Sequence, residues 1–161
     1  MKKIFLGLLV IISFFALTGC GNSDADKGEQ KVVQAILNED GNIVIDESKI
    51  TEEATFLSYE VDGVTIGFIV VRGTDGKVRV AFNTCQSCTP SPNAYFIQIG
   101  EYFECQNCGN RFHIDDIGVK RGGCNPAPVD EMTQEDGVIT ISSEYAKTYK
   151  DNFENWNGPK A

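Results

Sequence analysis

The chain has 161 residues, enough for one domain, and carries 23 acidic against 14 basic side chains, a net charge of −9. Such an acidic chain is repelled by nucleic acid and by anionic lipid headgroups and would attract cations or a basic partner, so nucleic acid is not expected as a partner. With one histidine and no serine or acid motif set beside it, the sequence offers no hydrolytic triad; a carrier or metal-binding protein is expected more than a catalyst.

The N-terminus opens with Lys2 and Lys3, continues with an apolar run from Ile4 to Leu17, and reaches Cys20 in "LTGC". A charged head, a short apolar stretch and small residues form an export signal. The run falls short of the about 20 apolar residues that span a bilayer. "LTGC" resembles a bacterial lipobox, which implies cleavage before Cys20 and a lipid on its thiol. The expected organisation is a signal peptide over residues 1–19, a lipidated tether over 20–31 and a metal-binding β domain over 32–161. The expected location is the extracytoplasmic face of the cell membrane. Cleavage removes Lys2 and Lys3 and no acids, leaving 12 basic against 23 acidic residues, or −11.

Beyond the polar "GNSDADKGEQ", the segment "VVQAIL" (32–37) suits a short helix or a strand equally. The pattern then turns to strands: "NIVI" (42–45), "ATFLSYEV" (54–61), "VTIGFIVV" (64–71) and "KVRVAFN" (77–83). Asp-Gly pairs at 62–63 and 75–76 separate the last three and predict hairpins, because both residues tolerate positive φ. "AYFIQIG" (94–100), "EYFEC" (101–105) and "GVITIS" (137–142) are further strand candidates. Tyr145, Tyr149, Phe153 and Trp156 recur at helical spacing and predict a short C-terminal helix packed by its aromatic side.

The chemistry concentrates in residues 85–124, which hold five of the six cysteines. Five is an odd number for a disulfide framework, and their clustering points to one local site. Cys85-x2-Cys88 and Cys105-x2-Cys108 form two CxxC units at metal-site spacing. Two intervening residues let a tight turn aim both sulfurs at one point. Four such thiolates hold a zinc ion, a mononuclear iron or an iron–sulfur cluster. Thiol–disulfide exchange is the competing use of a CxxC pair outside the cytoplasm. Gly109 after Cys108 suits the second turn, whereas Thr89-Pro90 after Cys88 predicts an irregular first one. His113 is either a ligand, a hydrogen-bond partner of a sulfur or a polar strand residue. Arg111 either offsets thiolate charge or stands in solvent, and Phe112 is a core plug beneath the site. Cys124, in the rigid "RGGCNPAP", is a fifth sulfur, a substitute for one of the four, a redox-active thiol or a buried free cysteine.

"VAFNTCQSC", "FECQNCGNRF" and "GGCNPAPV", with "EVDGVTIGFIVVRGTDGKVRVAF" upstream, resemble the FtrD-like iron–sulfur domain of bacterial membrane proteins and lipoproteins over roughly residues 40–130. The resemblance implies that Cys85, Cys88, Cys105, Cys108 and Cys124 are the functional cysteines. It also implies an electron-transfer or iron-handling role beside an integral membrane iron permease or redox partner. The chain departs from the family pattern at Ala94-Tyr95, where Gly-Tyr is common. A fainter similarity links Cys105 to Phe112, C-x-x-C-G-x-x-F, to the second ligand loop of Rieske-type domains. The expected fold is therefore mainly β: a small Rieske-like or zinc-ribbon-like sandwich with two metal-binding hairpin loops. The Lys-Lys signal exports an unfolded chain, so either iron is loaded outside the cytosol or the site holds a single metal such as zinc or iron. The rival readings are a structural zinc-ribbon module and a thiol–disulfide redox protein.

Overall fold

The computed structural model describes residues 30–161; the expected export signal over 1–19, Cys20 and the expected tether as far as residue 29 lie outside the described residues, and Lys31, placed at the end of that tether, begins the first strand. The described chain is mainly β, as expected, with strands in three sheets and one short α-helix. No helix among these residues is long and apolar enough to cross a membrane.

The central sheet has five strands: β1 (Lys31–Gln34), β4 (Thr55–Val61), β5 (Val64–Arg72), β6 (Val78–Cys85) and β10 (Pro126–Pro128), side by side in that order. β1 runs parallel to β4 and the other pairs are antiparallel. "VVQAIL" thus resolves as strand: β1, then β2 (Ile36–Leu37), which joins a second sheet. β4 and β5 turn at Asp62-Gly63, where φ is +48° and +79°. Two successive left-handed residues match the twist of the paired strands, which is why Asp-Gly suits this place.

Both faces of the central sheet are covered. Ile66, Phe68 and Val70 point to one core, while Ile69 and Val71 point to the other. The alternation explains the near-continuous apolar run of β5, since a strand buried on both sides has no polar face. The first core is closed by the four-stranded sheet of β11 (Met132–Glu135), β12 (Val138–Ile141), β3 (Ile43–Asp46) and β2, through Ile43, Ile45, Ile139 and Ile141. Against it also packs the C-terminal segment. There α1 (Ser143–Lys147) is capped by Ser142, whose hydroxyl accepts from Tyr145 N–H. It gives way to a 3₁₀ turn over Lys150–Phe153. Thr148 directs its hydroxyl back to the Tyr145 carbonyl at 2.7 Å, and the helix ends there rather than running on to Trp156. The aromatics still converge: Tyr149 stacks on Phe82 with centroids 3.9 Å apart, and Tyr145 and Phe153 flank the same ring.

The second core is closed by β7 (Phe96–Ile99), β8 (Tyr102–Cys105) and β9 (Arg111–His113), the sheet that carries the second CxxC. A 3₁₀ turn over Ile114–Asp116 leads the chain from β9 back to the β5–β6 turn. There Asp115 accepts from Thr74 N–H at 2.8 Å and from the Thr74 hydroxyl at 2.7 Å. These bonds hold the Asp115 carboxyl below the usual carboxylate range. A depressed folded pKa contributes stability that is present above the unfolded value of about 3.9 and is lost as pH falls through the folded one. Asp115→Ala is therefore expected to lower the urea midpoint at pH 7. The gap to the parent should close as pH drops below the carboxylate range; a gap unchanged in acid would assign Asp115 no charge-linked role.

Candidate metal centre

β6 ends at Cys85 and β8 ends at Cys105, so each CxxC begins where a buried strand breaks into a turn. The two turns share one plan. Thr89 N–H donates to the Cys85 carbonyl at 3.1 Å, and Gly109 N–H donates to the Cys105 carbonyl at 2.8 Å. The amides of Ser87 and Cys88 point at the Cys85 sulfur; those of Asn107 and Cys108 point at the Cys105 sulfur. Beyond these shared bonds the first turn is the less regular, as expected: the Thr89-Pro90 peptide is cis, and Cys85 N–H donates to the Ala94 carbonyl, whereas Cys105 N–H donates to the nearer Asn110 carbonyl. Backbone amides need no particular side chain beyond the cysteines, so the pattern survives the difference in flanking sequence.

The Sγ atoms of Cys85, Cys88, Cys105 and Cys108 all lie within 4.8 Å of one another, with Cys88 and Cys105 4.0 Å apart. All five described cysteines are free thiols. Cys85 and Cys105 are fully buried, Cys88 is half-buried and Cys108 is exposed. Burial pushes the Cys85 and Cys105 thiols up, Cys105 to about 11 and Cys85 further, against the pull of the amides. Two buried thiols that resist becoming bare anions, set beside two more, suit a cation that takes the place of their protons. The donor set is four sulfurs, which fits zinc, iron or an iron–sulfur centre and not a hard oxygen-seeking ion.

His113 stands outside this group. Its Nδ1 accepts from Asp115 N–H at 3.3 Å, its Nε2 lies 4.0 Å from Glu101, and its ring meets Tyr102 edge-on. Arg111 lies against Glu104, with Nε and Nη2 2.8 and 2.7 Å from one carboxylate oxygen. Phe112 packs on the second core and meets Phe96 edge-on, as the expected plug.

The GGCNP loop returns to the first turn. The Cys85 thiol donates to the Cys124 carbonyl at 3.4 Å, while the Cys124 sulfur is not one of the four that gather. Gln86 fastens this loop. Its backbone N–H and side-chain amide both donate to the Asn125 carbonyl, the amide also reaches the Pro126 carbonyl, and its side-chain oxygen accepts from Gly122 N–H. Asn83 does the equivalent work between the halves of the site. This buried side chain accepts from Phe96 N–H at 2.7 Å and donates to the Phe96 carbonyl at 3.3 Å. Phe96 is the register partner of Cys105, so Asn83 ties the end of β6 to the strand pair that bears the second cysteines.

The sequence reading passed over both residues. Gln86 was visible as the repeated glutamine of "CQSC" and "CQNC", and Asn83 as a polar break in the apolar "VAFNTC". Asn83→Ala is expected to leave the buried Phe96 amide without an acceptor, costing about 1–3 kcal/mol in the metal-free protein. By loosening one pair of sulfurs against the other, it should also weaken metal affinity roughly 10–100-fold. Urea unfolding and chelator competition read the two effects separately, and a stability loss with unchanged affinity would confine Asn83 to the fold.

Among known proteins, residues 50–153 match the family model described as "membrane iron-sulfur containing protein FtrD-like". No curated protein matches the chain.

Proposed function

The chain belongs to the FtrD-like family of membrane iron–sulfur proteins, and on that premise we propose that it is an exported, lipid-anchored electron carrier serving a membrane iron-uptake partner. Its centre in this reading is a single iron ion held by Cys85, Cys88, Cys105 and Cys108. The observation that carries the reading is the mutual spacing of the four sulfurs. Metal–sulfur bonds of about 2.3 Å arranged tetrahedrally place their sulfurs about 3.8 Å apart. The 4.0 Å between Cys88 and Cys105, and the 4.8 Å limit on all four, lie near that value. On a multi-iron cluster only two thiolates that share one iron stand this close, and those on different irons stand farther apart. Iron is favoured over zinc by the family, and a single ion can be loaded after export of an unfolded chain.

A tetrathiolate iron supplies one-electron chemistry when bound. The residues of the chain do the rest. Cys85 and Cys105, both without exposed surface, would hold the ion from the core side, which suits a resident centre rather than cargo in transit. The amides of Ser87, Cys88, Asn107 and Cys108 offset charge on the two inner sulfurs. Cys108 presents the outer edge to solvent. Lipidation at Cys20 would keep this domain near its partner, raising effective concentration without tight affinity.

Metal analysis with visible spectroscopy of the protein purified without oxygen tests the proposal. One iron per chain, no acid-labile sulfide and thiolate-to-iron absorption that bleaches reversibly on reduction are expected. Iron with matching sulfide would replace the single ion by a cluster. A colourless protein with one zinc would make the site a structural module. For the anchor, mass spectrometry of the membrane-extracted protein should find an acylated Cys20 at the N-terminus; an unmodified chain in the soluble fraction would sink that part.

A further inference from the structure

The five cysteines from Cys85 to Cys124 sit in three uncharged tracts of the chain. No charged side chain occurs in residues 80–100, 105–110 or 122–129, although Lys, Arg, Asp and Glu make up 23% of the whole. In the fold the exposed turns of these tracts, residues 86–93, 106–110 and 122–125, adjoin one another. The Ser87 hydroxyl donates to the Gly123 carbonyl, and the Ser91 hydroxyl donates to Asn107 Oδ1 at 2.7 Å. Ser87, Asn93, Asn107, Cys108, Asn110 and Gly123 are the solvent-facing side of this tip. The charges at its margin cancel in pairs: Arg111 on Glu104, and Arg121 forked onto both oxygens of Asp130. None of the exposed large apolar side chains lies on it. The tip is therefore built neither to enter a bilayer nor to meet an oppositely charged surface.

We propose that this tip around Cys108, free of charged side chains apart from the thiolates of the centre itself, is the face through which the centre exchanges electrons with a protein partner, and that the partner's own contact face is also free of charged side chains. The inference rests on the redox reading above. Its physical basis is desolvation. Charged groups in a contact must be stripped of water or paired, whereas small neutral polar groups let two surfaces close and part quickly. Weak redox encounters use small contacts of under about 1,200 Å². In a chain this acidic, the tip adds no carboxylate to the charge of the centre, which the amides of Ser87, Cys88, Asn107 and Cys108 partly offset. The step moves one electron: the iron of one molecule is oxidised, the centre of the other is reduced, and no bond or proton changes hands.

A second copy of the chain serves as the partner in the test. Electron self-exchange between oxidised and reduced iron-loaded protein has no driving force, so a variant that merely shifts the potential does not alter it. The paired substitution Asn107→Asp with Asn110→Asp places like charges on both contacting tips. It is expected to slow self-exchange, read by NMR exchange spectroscopy, about five- to tenfold at about 0.05 M salt, with recovery at about 0.5 M. Thr133→Asp with Gln134→Asp adds the same charge on β11, across the central sheet, and is expected to leave the rate near the parent's. In addition, amide signals of residues 105–110 in zinc-loaded protein should broaden when iron-loaded protein is added, and should not in the tip variant. Equal slowing by both pairs, or by neither, overturns the tip as the exchange face while leaving the centre redox-active. Loaded protein that takes up no electron overturns the redox reading, and the face with it.

Discussion

Cys105→Ser is expected to abolish stoichiometric metal loading. Cys105 is fully buried, its sulfur is 4.0 Å from that of Cys88, and it receives the amides of Asn107 and Cys108. A serine hydroxyl there is a harder, shorter ligand in a pocket shaped for sulfur. Loss of an outer-shell partner alone costs about 10–100-fold in affinity, so loss of this ligand should exceed about 100-fold. Cys124→Ser is the informative companion. Its carbonyl, not its sulfur, meets Cys85, and that contact survives the substitution. Loading should stay at one ion per chain, measured by metal analysis and competition with a chromophoric chelator. If Cys124→Ser lost the metal while Cys108→Ser kept it, Cys124 would take the place of Cys108 in the coordination sphere. That would retain an alternative the sequence leaves open.

The second large effect lies away from the centre. A Cβ on Gly67 would fall 2.3 Å from Cη2 of Trp156, which lies buried across β5 and is met edge-on by Tyr95 and Phe153. Gly67→Ala should therefore cost about 1–3 kcal/mol by overpacking. Trp156→Ala should cost about 3–5 kcal/mol by leaving a cavity. The pair should not add: with the indole gone, alanine at 67 has room, and its cost should fall close to zero. Urea unfolding of the two single variants and the double variant measures this coupling. Additive costs would show that the indole is not what limits position 67. Both variants should still load metal when folded, because neither residue is among the four gathered cysteines and Trp156 meets the site only through Tyr95, whose carbonyl accepts from Gln106 N–H.

Much of this was legible in the residues. β4, β5 and β6 are apolar runs separated by Asp-Gly turns, and those signals act within a few residues of chain. The paired CxxC units also announce themselves locally, because each turn needs only its own backbone to aim two sulfurs. β9, β10 and β11 escaped notice for the same reason reversed. "RFH", "PAP" and "MTQE" have no strand pattern of their own and pair because a neighbouring strand offers a free edge. "VVQAIL" was undecidable by periodicity and was settled by the strand partners of β1 and β2.

The sequence by itself determined a mainly β chain with two thiol-bearing turns, since these depend on side-chain alternation and short-range backbone geometry. Only the tertiary structure decided that the turns meet, through Asn83 holding Phe96 and the shared second core beneath them. It alone placed Gln86 as the strap on the GGCNP loop and turned His113 toward Asp115 and Glu101 rather than into the sulfur group. Those outcomes depend on residues far apart in the chain finding one another, and no local pattern encodes such a distance.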